Sequence, residues 1–280
     1  MKLEFTKMQG CGNDYVYING FTQTIEQDRK KEAVIRLSDR HFGIGSDGVI
    51  FINPSEAADF EMEMYNADGS RAEMCGNGIR CVAKYVYDNG MTDKKDFTIE
   101  SYGKIKKISV MEKNGLAELI RVDMGEPELY PDKIPVLSKN DRVIDEPIEA
   151  GGREYRMTCV SMGNPHAVIF EDPDTVGLET AGPLIEHHTS FPNRTNTEFV
   201  KVIDRQNVRM RVWERGTGET LACGTGCCAT GVACVLNGLT DRKITVHVLG
   251  GDIEVEWDER DNHIYMTGPA VTVFTGIIDL

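Results

Sequence analysis

Short apolar or alternating runs recur along the chain: YVYING, DGVIF and FEMEMYN in the first half, HAVIF, TEFVKVI and VRMRVW in the second. Period-two alternation puts one face of a strand on a core, and short apolar runs of this length suit strands buried on both faces. Two stretches change period. Ile79, Val82, Ala83 and Val86, and later Ala229, Val232, Ala233 and Leu236, recur at steps of three and four, which gathers apolar side chains on one face of a helix. Both helices are expected to stop at Asn-Gly, at Asn89-Gly90 and Asn237-Gly238, where a residue able to take a positive φ closes the last turn. The segments DFTIESYGKIKKISVMEKNGLAELIRVDMGEP and KITVHVLGGDIEVEWDERDNHIYMTG then return to strand pattern, with turns at Asn114-Gly115 and Asp261-Asn262. One more helix is expected near 25–40, capped by Thr24, and the acidic, proline-containing stretch 126–150 reads as a connection or irregular edge.

The two halves repeat one another. A shift of 148 positions lays Cys75, Gly76 and Gly78 on Cys223, Gly224 and Gly226, and Asn89-Gly90 on Asn237-Gly238. Tyr65-Asn66 meets Trp213-Glu214, Phe51 meets Phe199, and Gly103 and Ile105 meet Gly251 and Ile253. With three further residues of offset, Gly12-Asn13-Asp14 falls on Gly163-Asn164-Pro165. Similarity over so long a unit implies an internal duplication into two tandem α/β halves.

Composition narrows the class. A chain of 280 residues, 40% hydrophobic and 27% charged, can bury one large core or two medium ones. A formal net charge of −14 disfavours a nucleic acid or an anionic membrane surface as main partner. The N-terminal stretch lacks a basic end followed by a long apolar run, and nothing approaches the roughly eighteen apolar residues of a spanning helix. A cytoplasmic protein is expected. Its eight cysteines, at 11, 75, 81, 159, 223, 227, 228 and 234, are expected to be free thiols in a reducing compartment. No CxxC pair occurs among them, so no metal site is expected.

The Cys-Gly-x-Gly corners carry the chemistry. A cysteine where a helix starts sits among unpaired backbone N–H groups at the positive end of the macrodipole, which biases it toward thiolate. Glycine without Cβ lets a ligand approach the backbone, so the same turns can hold a carboxylate. Two such corners in a duplicated chain are expected to face one another across the junction of the halves. That arrangement suits stereoinversion at an acidic carbon, one sulfur taking a proton and the other giving one, a coupled pair of thiolate and thiol. Cys81, Cys159, Cys228 and Cys234 read as packing residues, and Cys227, one turn beyond Cys223, is open to either reading. His166 in GNPHAV follows the copy of Gly12-Asn13 and is a candidate proton partner. Arg215 in VWERGTG has the planar fork that suits a carboxylate.

The motifs FTKMQGCGNDY, RHFGIGSDGVI, YNADGSRAEMCGNGIRC, GNPHAVIF, NTEFV, WERGTGETLACGTG and TGPAVTVFTG span the chain in order, and through them it resembles the diaminopimelate epimerases. The resemblance implies an α/β (α+β) fold of two pseudosymmetric domains, each a curved, mostly antiparallel sheet or barrel around a central helix. One domain would comprise 1–122 with 269–280, the other 123–268. It implies cofactor-independent interconversion of LL- and meso-2,6-diaminopimelate, a small-molecule substrate, on the route to lysine and peptidoglycan precursors. A homodimer is compatible with this reading. By matching position Cys75 would be the base and Cys223 the acid in the LL-to-meso direction, with His166 and Glu214 moving protons to or from them. The backbone at Gly76-Asn77 and Gly224-Thr225 would hold the carboxylate at the reacting centre. Asn13, Asn66, Asn164, Asn196, Glu214 and Arg215 would contact the substrate, the asparagines and Arg215 gripping its distal end. Two positions depart from the pattern: some members carry Gln where this chain has Gly48, and 227 is often Ala.

Three rivals are weighed. A proline racemase or hydroxyproline epimerase would share the two-cysteine logic but wants an apolar ring pocket, not Arg215 and a set of asparagines. A pyridoxal-phosphate racemase needs a Schiff-base lysine and a phosphate site, for which no pattern is found. A thiol-disulfide redox protein would explain the cysteines but neither the paired glycines nor the asparagines.

Overall fold

The computed structural model of the protein describes residues 2–72 and 74–280. The chain divides into two compact units, Met1–Val122 with Gly268–Leu280, and Asp123–Thr267. The first contains β1 (Lys2–Gly10), β2 (Asn13–Asn19), α1 (Gln27–Ser38), β3 (Gly48–Asn53), β4 (Phe60–Asn66), β5 (Arg71–Ala72), α2 (Gly76–Asp88), β6 (Asp96–Ser101), β7 (Lys104–Lys113) and β8 (Leu116–Gly125), the last strand carrying the chain into the second unit. The second has β9 (Glu146–Ala150), β10 (Arg153–Ser161), β11 (Pro165–Ile169), α3 (Leu178–Glu186), β12 (Asn196–Val202), β13 (Asn207–Glu214), β14 (Gly218–Thr220), α4 (Gly224–Leu236), β15 (Lys243–Val248), β16 (Gly251–Trp257) and β17 (Ile264–Pro269). A final strand, β18 (Val271–Asp279), returns to the first unit and pairs antiparallel with β1.

The duplication shows in the pairing. Among the pairings described, the parallel ones are β2 with β3 and β4 with β6 in the first unit, and β11 with β12 and β13 with β15 in the second. Each parallel pair is joined through a helix, as a parallel connection requires: α1, α2, α3 and α4 in turn. The mixed α+β fold, with more residues in strands than in helices, is the one expected. α2 packs on β1, β2, β7 and β18, strands from both ends of its sheet, so the sheet curls around the helix. α4 is held likewise by β10, β11, β12, β15 and β16. Ile79, Val82, Ala83 and Val86, and Ala229, Val232 and Ala233, are buried, as their spacing predicts, whereas Leu236 in the last turn is only half-buried. Both helices end as expected, with Gly90 at φ 65° and Gly238 at φ 69°.

Of three details, two differ from the sequence reading. α1 starts at Gln27 after Glu26, with no side-chain cap, so Thr24 is not its cap. The stretch 126–150 is irregular, as expected, except for a 3₁₀ turn at Pro131–Lys133 and β9. α3 was not anticipated. It is short and holds Pro183, yet it is the counterpart of α1, and its Leu178, Ala181 and Ile185 are buried in the second unit's core.

Candidate active site

Each of the two corner cysteines is the N-cap of its helix, extended at φ −134°, ψ 113° for Cys75 and φ −114°, ψ 110° for Cys223. The glycine three residues on allows close packing against the end of a side chain beneath it. A Cβ on Gly78 would stand 2.8 Å from Ile50 Cδ1, and one on Gly226 2.7 Å from Glu198 Oε1, so either substitution would push the side-chain end beneath it aside. Both helix starts therefore lie directly on the underlying strand, which fixes where each sulfur emerges.

In the first unit, Cys75 Sγ accepts from Gly78 N–H at 3.2 Å and lies 3.0 Å from Asn13 Oδ1, to which the thiol donates. Asn13 is held in that sense because its Nδ2 donates to Asp47 Oδ2 at 2.8 Å. Asp47 also accepts from Asp14 N–H at 3.1 Å and Arg40 Nη2 at 2.9 Å. Burial works to raise the Asp14 carboxyl, but hydrogen bonds from Arg40 and Lys7 hold it below the usual carboxylate range. Beneath the first turn of α2 the guanidinium of Arg80 is fully buried, donating to Gly76 O at 3.2 Å, Asn77 Oδ1 at 2.9 Å and Pro269 O at 3.2 Å. Asn66 is exposed and its Nδ2 donates to Ser70 Oγ at 3.0 Å.

In the second unit, Cys223 is buried and its Sγ is 3.5 Å from Thr225 Oγ1. Asn164 Nδ2 donates to that hydroxyl at 3.3 Å, and Asn164 Oδ1 is 3.1 Å from His166 Nε2. His166 Nδ1 lies 2.7 Å from Glu198 Oε1, and both side chains are fully buried. Burial pushes the Cys223 thiol well above its ordinary value, the Glu214 and Glu198 carboxylates push it further, and the Thr225 hydroxyl and Gly226 N–H oppose them. The thiolate bias expected of a helix start is thus overridden at Cys223 by desolvation and two acidic neighbours. Glu214 is itself raised by burial, against a hydrogen bond from the Thr220 hydroxyl and the proximity of His166.

The remaining expected residues serve the frame as well. Asn196 is buried, its Nδ2 donating to Pro165 O and its Oδ1 accepting from Arg215 N–H, each at 2.9 Å. Arg215 is exposed, with Nη1 on Asn193 O at 3.0 Å. The turn carrying it is tied down by buried Glu186, which accepts from Gly216 N–H and Trp213 Nε1, each at 2.8 Å. Gly48 has no room for a side chain: a Cβ there would lie 2.0 Å from Tyr65 O, so in this backbone the position cannot hold the Gln of other sequences. Cys227 lies inside α4, fully buried.

Asn13, Asn66, Cys75, Gly76 and Asn77 thus belong to the first unit, and Asn164, His166, Asn196, Glu214, Arg215, Cys223, Gly224 and Thr225 to the second. Sequence reasoning missed Glu198 and Asp47. Shifting the chain by 148 sets Glu198 against Ile50, an acid where the other half has an aliphatic residue, which is the signal that could have found it. All eight cysteines are free. Among the described residues no group of three or more His, Cys, Asp or Glu is placed to hold a metal ion, and no helix is long and apolar enough to cross a membrane.

Residues 5–130 and 158–273 match the profile of a family described as diaminopimelate epimerase. A protein of that name from Acetivibrio thermocellus is 57% identical over 279 residues, covering 99% of both chains. Another from Agathobacter rectalis is 56% identical over 287 residues, covering 99% of this chain and all of its own, 100%. Among solved structures, a hydroxyproline epimerase from Agrobacterium vitis with bound trans-4-hydroxy-L-proline superposes with a TM-score of 0.70 at 15% identity, over 99% of this chain and 91% of that one. At that identity the likeness is one of fold.

Proposed function

The chain belongs to the diaminopimelate epimerase family, and from that premise we propose that it interconverts LL- and meso-2,6-diaminopimelate with two cysteines and no cofactor, in the cytoplasm, on the way to lysine and peptidoglycan precursors. As an epimerase it is an isomerase: one C–H bond breaks, one forms on the opposite face, and no electrons are exchanged. In the LL-to-meso direction Cys75 takes the α-proton and Cys223 delivers the new one. His166 and Glu214 move protons to and from these sulfurs. The backbone N–H groups at Gly76-Asn77 and Gly224-Thr225 receive the carboxylate at the reacting carbon, and Asn13, Asn66, Asn164, Asn196 and Arg215 orient the substrate and its distal amino-acid end. An analogue without that end leaves buried polar partners unpaired, which is the source of selectivity.

One observation carries this reading. The two cysteines are N-caps of duplicated helices, yet their surroundings are opposite in kind. Cys75 accepts the Gly78 N–H at the start of a helix that holds the buried Arg80 guanidinium, whereas the Cys223 thiol is raised by burial and two carboxylates against the Gly226 N–H. A one-proton asymmetry between matched sites is what a two-base inversion needs.

The test is incubation of the purified protein with LL-diaminopimelate, without added cofactor, in deuterated buffer. Chiral analysis should show the meso form, with solvent deuterium at the inverted α-carbon. Unchanged LL substrate, or inversion without deuterium incorporation, would overturn the proposal.

A further inference from the structure

Glu198 is fully buried, its Oε1 is 2.7 Å from His166 Nδ1, and its Oε2 has no hydrogen-bond partner among the described residues. A carboxylate so placed is expensive, because burial removes hydration that one hydrogen bond only partly replaces. The chain itself contains the cheaper solution. The equivalent place under the first turn of α2 is filled by Ile50, fully buried, and the two side chains lie against the equivalent glycines, Gly78 and Gly226. Packing alone therefore does not call for an acid at 198.

What the acid adds is direction. β11 and β12 run parallel with His166 opposite Asn196 and Val168 opposite Glu198, so residues 166 and 198 lie on one face of the sheet, two steps apart along the strands. An ionised carboxylate only accepts, and against one Nδ1 of His166 carries the proton of the 2.7 Å contact. With Nδ1–H on Glu198, the contact of Nε2 with Asn164 Oδ1 at 3.1 Å is a hydrogen bond when Nε2 carries a proton as well; Asn164 Nδ2 donates to Thr225 Oγ1 at 3.3 Å, itself 3.5 Å from Cys223 Sγ. These contacts from Glu198 to Cys223 lie wholly in the second unit.

We propose that Glu198 is the positioning residue of His166: by binding Nδ1–H it fixes the ring's protonation at Nδ1 and its orientation, and it thereby sets Nε2 against Asn164, whose amide in turn places the Thr225 hydroxyl beside Cys223. This rests on the roles given above to His166 and Cys223. Fixing one ring nitrogen by an outer partner is a general means of committing the other to proton transfer.

The experiment compares wild-type protein with Glu198→Gln, which keeps the shape and loses the charge, and Glu198→Ile, which copies the other half. Long-range ¹H–¹⁵N spectra of His166 should show a slowly exchanging Nδ1–H in the wild type that is lost in Glu198→Ile. In turnover, Glu198→Gln should lower kcat on the order of 10-fold in both directions, and Glu198→Ile more, with KM held within about twofold, as expected when control of the ring and not binding is lost. In Glu198→Gln/His166→Asn, kcat should equal that of His166→Asn alone, since a residue acting through another adds nothing once the other is gone. Folding is checked by near-UV circular dichroism of each variant. Identical His166 spectra in wild type and Glu198→Ile overturn the proposal whatever the activity, and so does a folded Glu198→Ile with unchanged kcat, or additive losses in the double variant. If the wild type does not epimerise diaminopimelate, the proposed function falls, and the ring spectra alone decide whether Glu198 positions His166.

Discussion

Asn13 meets Cys75 through its carbonyl oxygen, 3.0 Å from Sγ, and Asp47 keeps the amide turned that way. A thiol donates to that oxygen, whereas a thiolate in the same place is repelled by it. Asp47→Ala should free the Asn13 amide to turn its N–H groups to the sulfur. Carbamidomethylation of Cys75 at neutral pH, followed by mass spectrometry, should then be several times faster than in the wild type, roughly what one gained charge-assisted hydrogen bond provides. Turnover should fall, since Asn13 loses its orientation. An unchanged rate of Cys75 modification would detach Asp47 from the thiol's state.

Cys75→Ala and Cys223→Ala should each lower kcat by on the order of 10³-fold, the usual worth of a proton-transfer group, while both remain folded. Cys227→Ala, buried in α4, should keep most of the activity and lose a little stability. Chiral analysis of the product and thermal melts measure both. A Cys227→Ala variant as inactive as Cys223→Ala would show that 227 and not 223 carries the chemistry.

Burial, then the charge of Glu214, raises the Cys223 thiol. A raised thiol has less thiolate at any given pH, so Cys223 should resist alkylation at neutral pH and become reactive only in the alkaline range. Glu214→Gln removes one of the causes and should bring that onset to lower pH, which a pH series of alkylation read by mass spectrometry will show. Cys81 and Cys234, pushed by burial to about 12, should stay unmodified throughout. A later onset in Glu214→Gln would contradict the electrostatic account.

Arg215→Ala should raise KM on the order of 10-fold, about the worth of one charged hydrogen bond, with a smaller change in kcat. Steady-state kinetics with LL-diaminopimelate separates the two. Equal KM values in the two proteins would remove Arg215 from substrate capture.

The corners of α2 and α4 are legible in the sequence because glycines, caps and a helical period coincide there. Asn13, Asn164 and His166 were legible through the repeat. Other features resist for physical reasons. α3 is short and holds Pro183, so propensity argues against it; only its position, equivalent to α1, betrays it. Glu198 lies in the apolar run TEFV, where a lone acid reads as the solvent face of a strand, and its partner His166 is 32 residues away. Their meeting depends on the parallel register of β11 and β12, which no local pattern encodes. The reversal at Cys223 is also tertiary, since a helix start predicts a low thiol and only the fold brings two carboxylates to it.

β18 completes the first unit's sheet by pairing Lys2 with Asp279 and Gln9 with Val271. On the ribosome, the opening strand therefore emerges long before its neighbour exists, while the second unit is one continuous stretch, Asp123–Thr267, that can condense as soon as it is made. The half that is translated first is the half that finishes last, and the corner bearing Cys75 acquires its full enclosure only when β18 is in place.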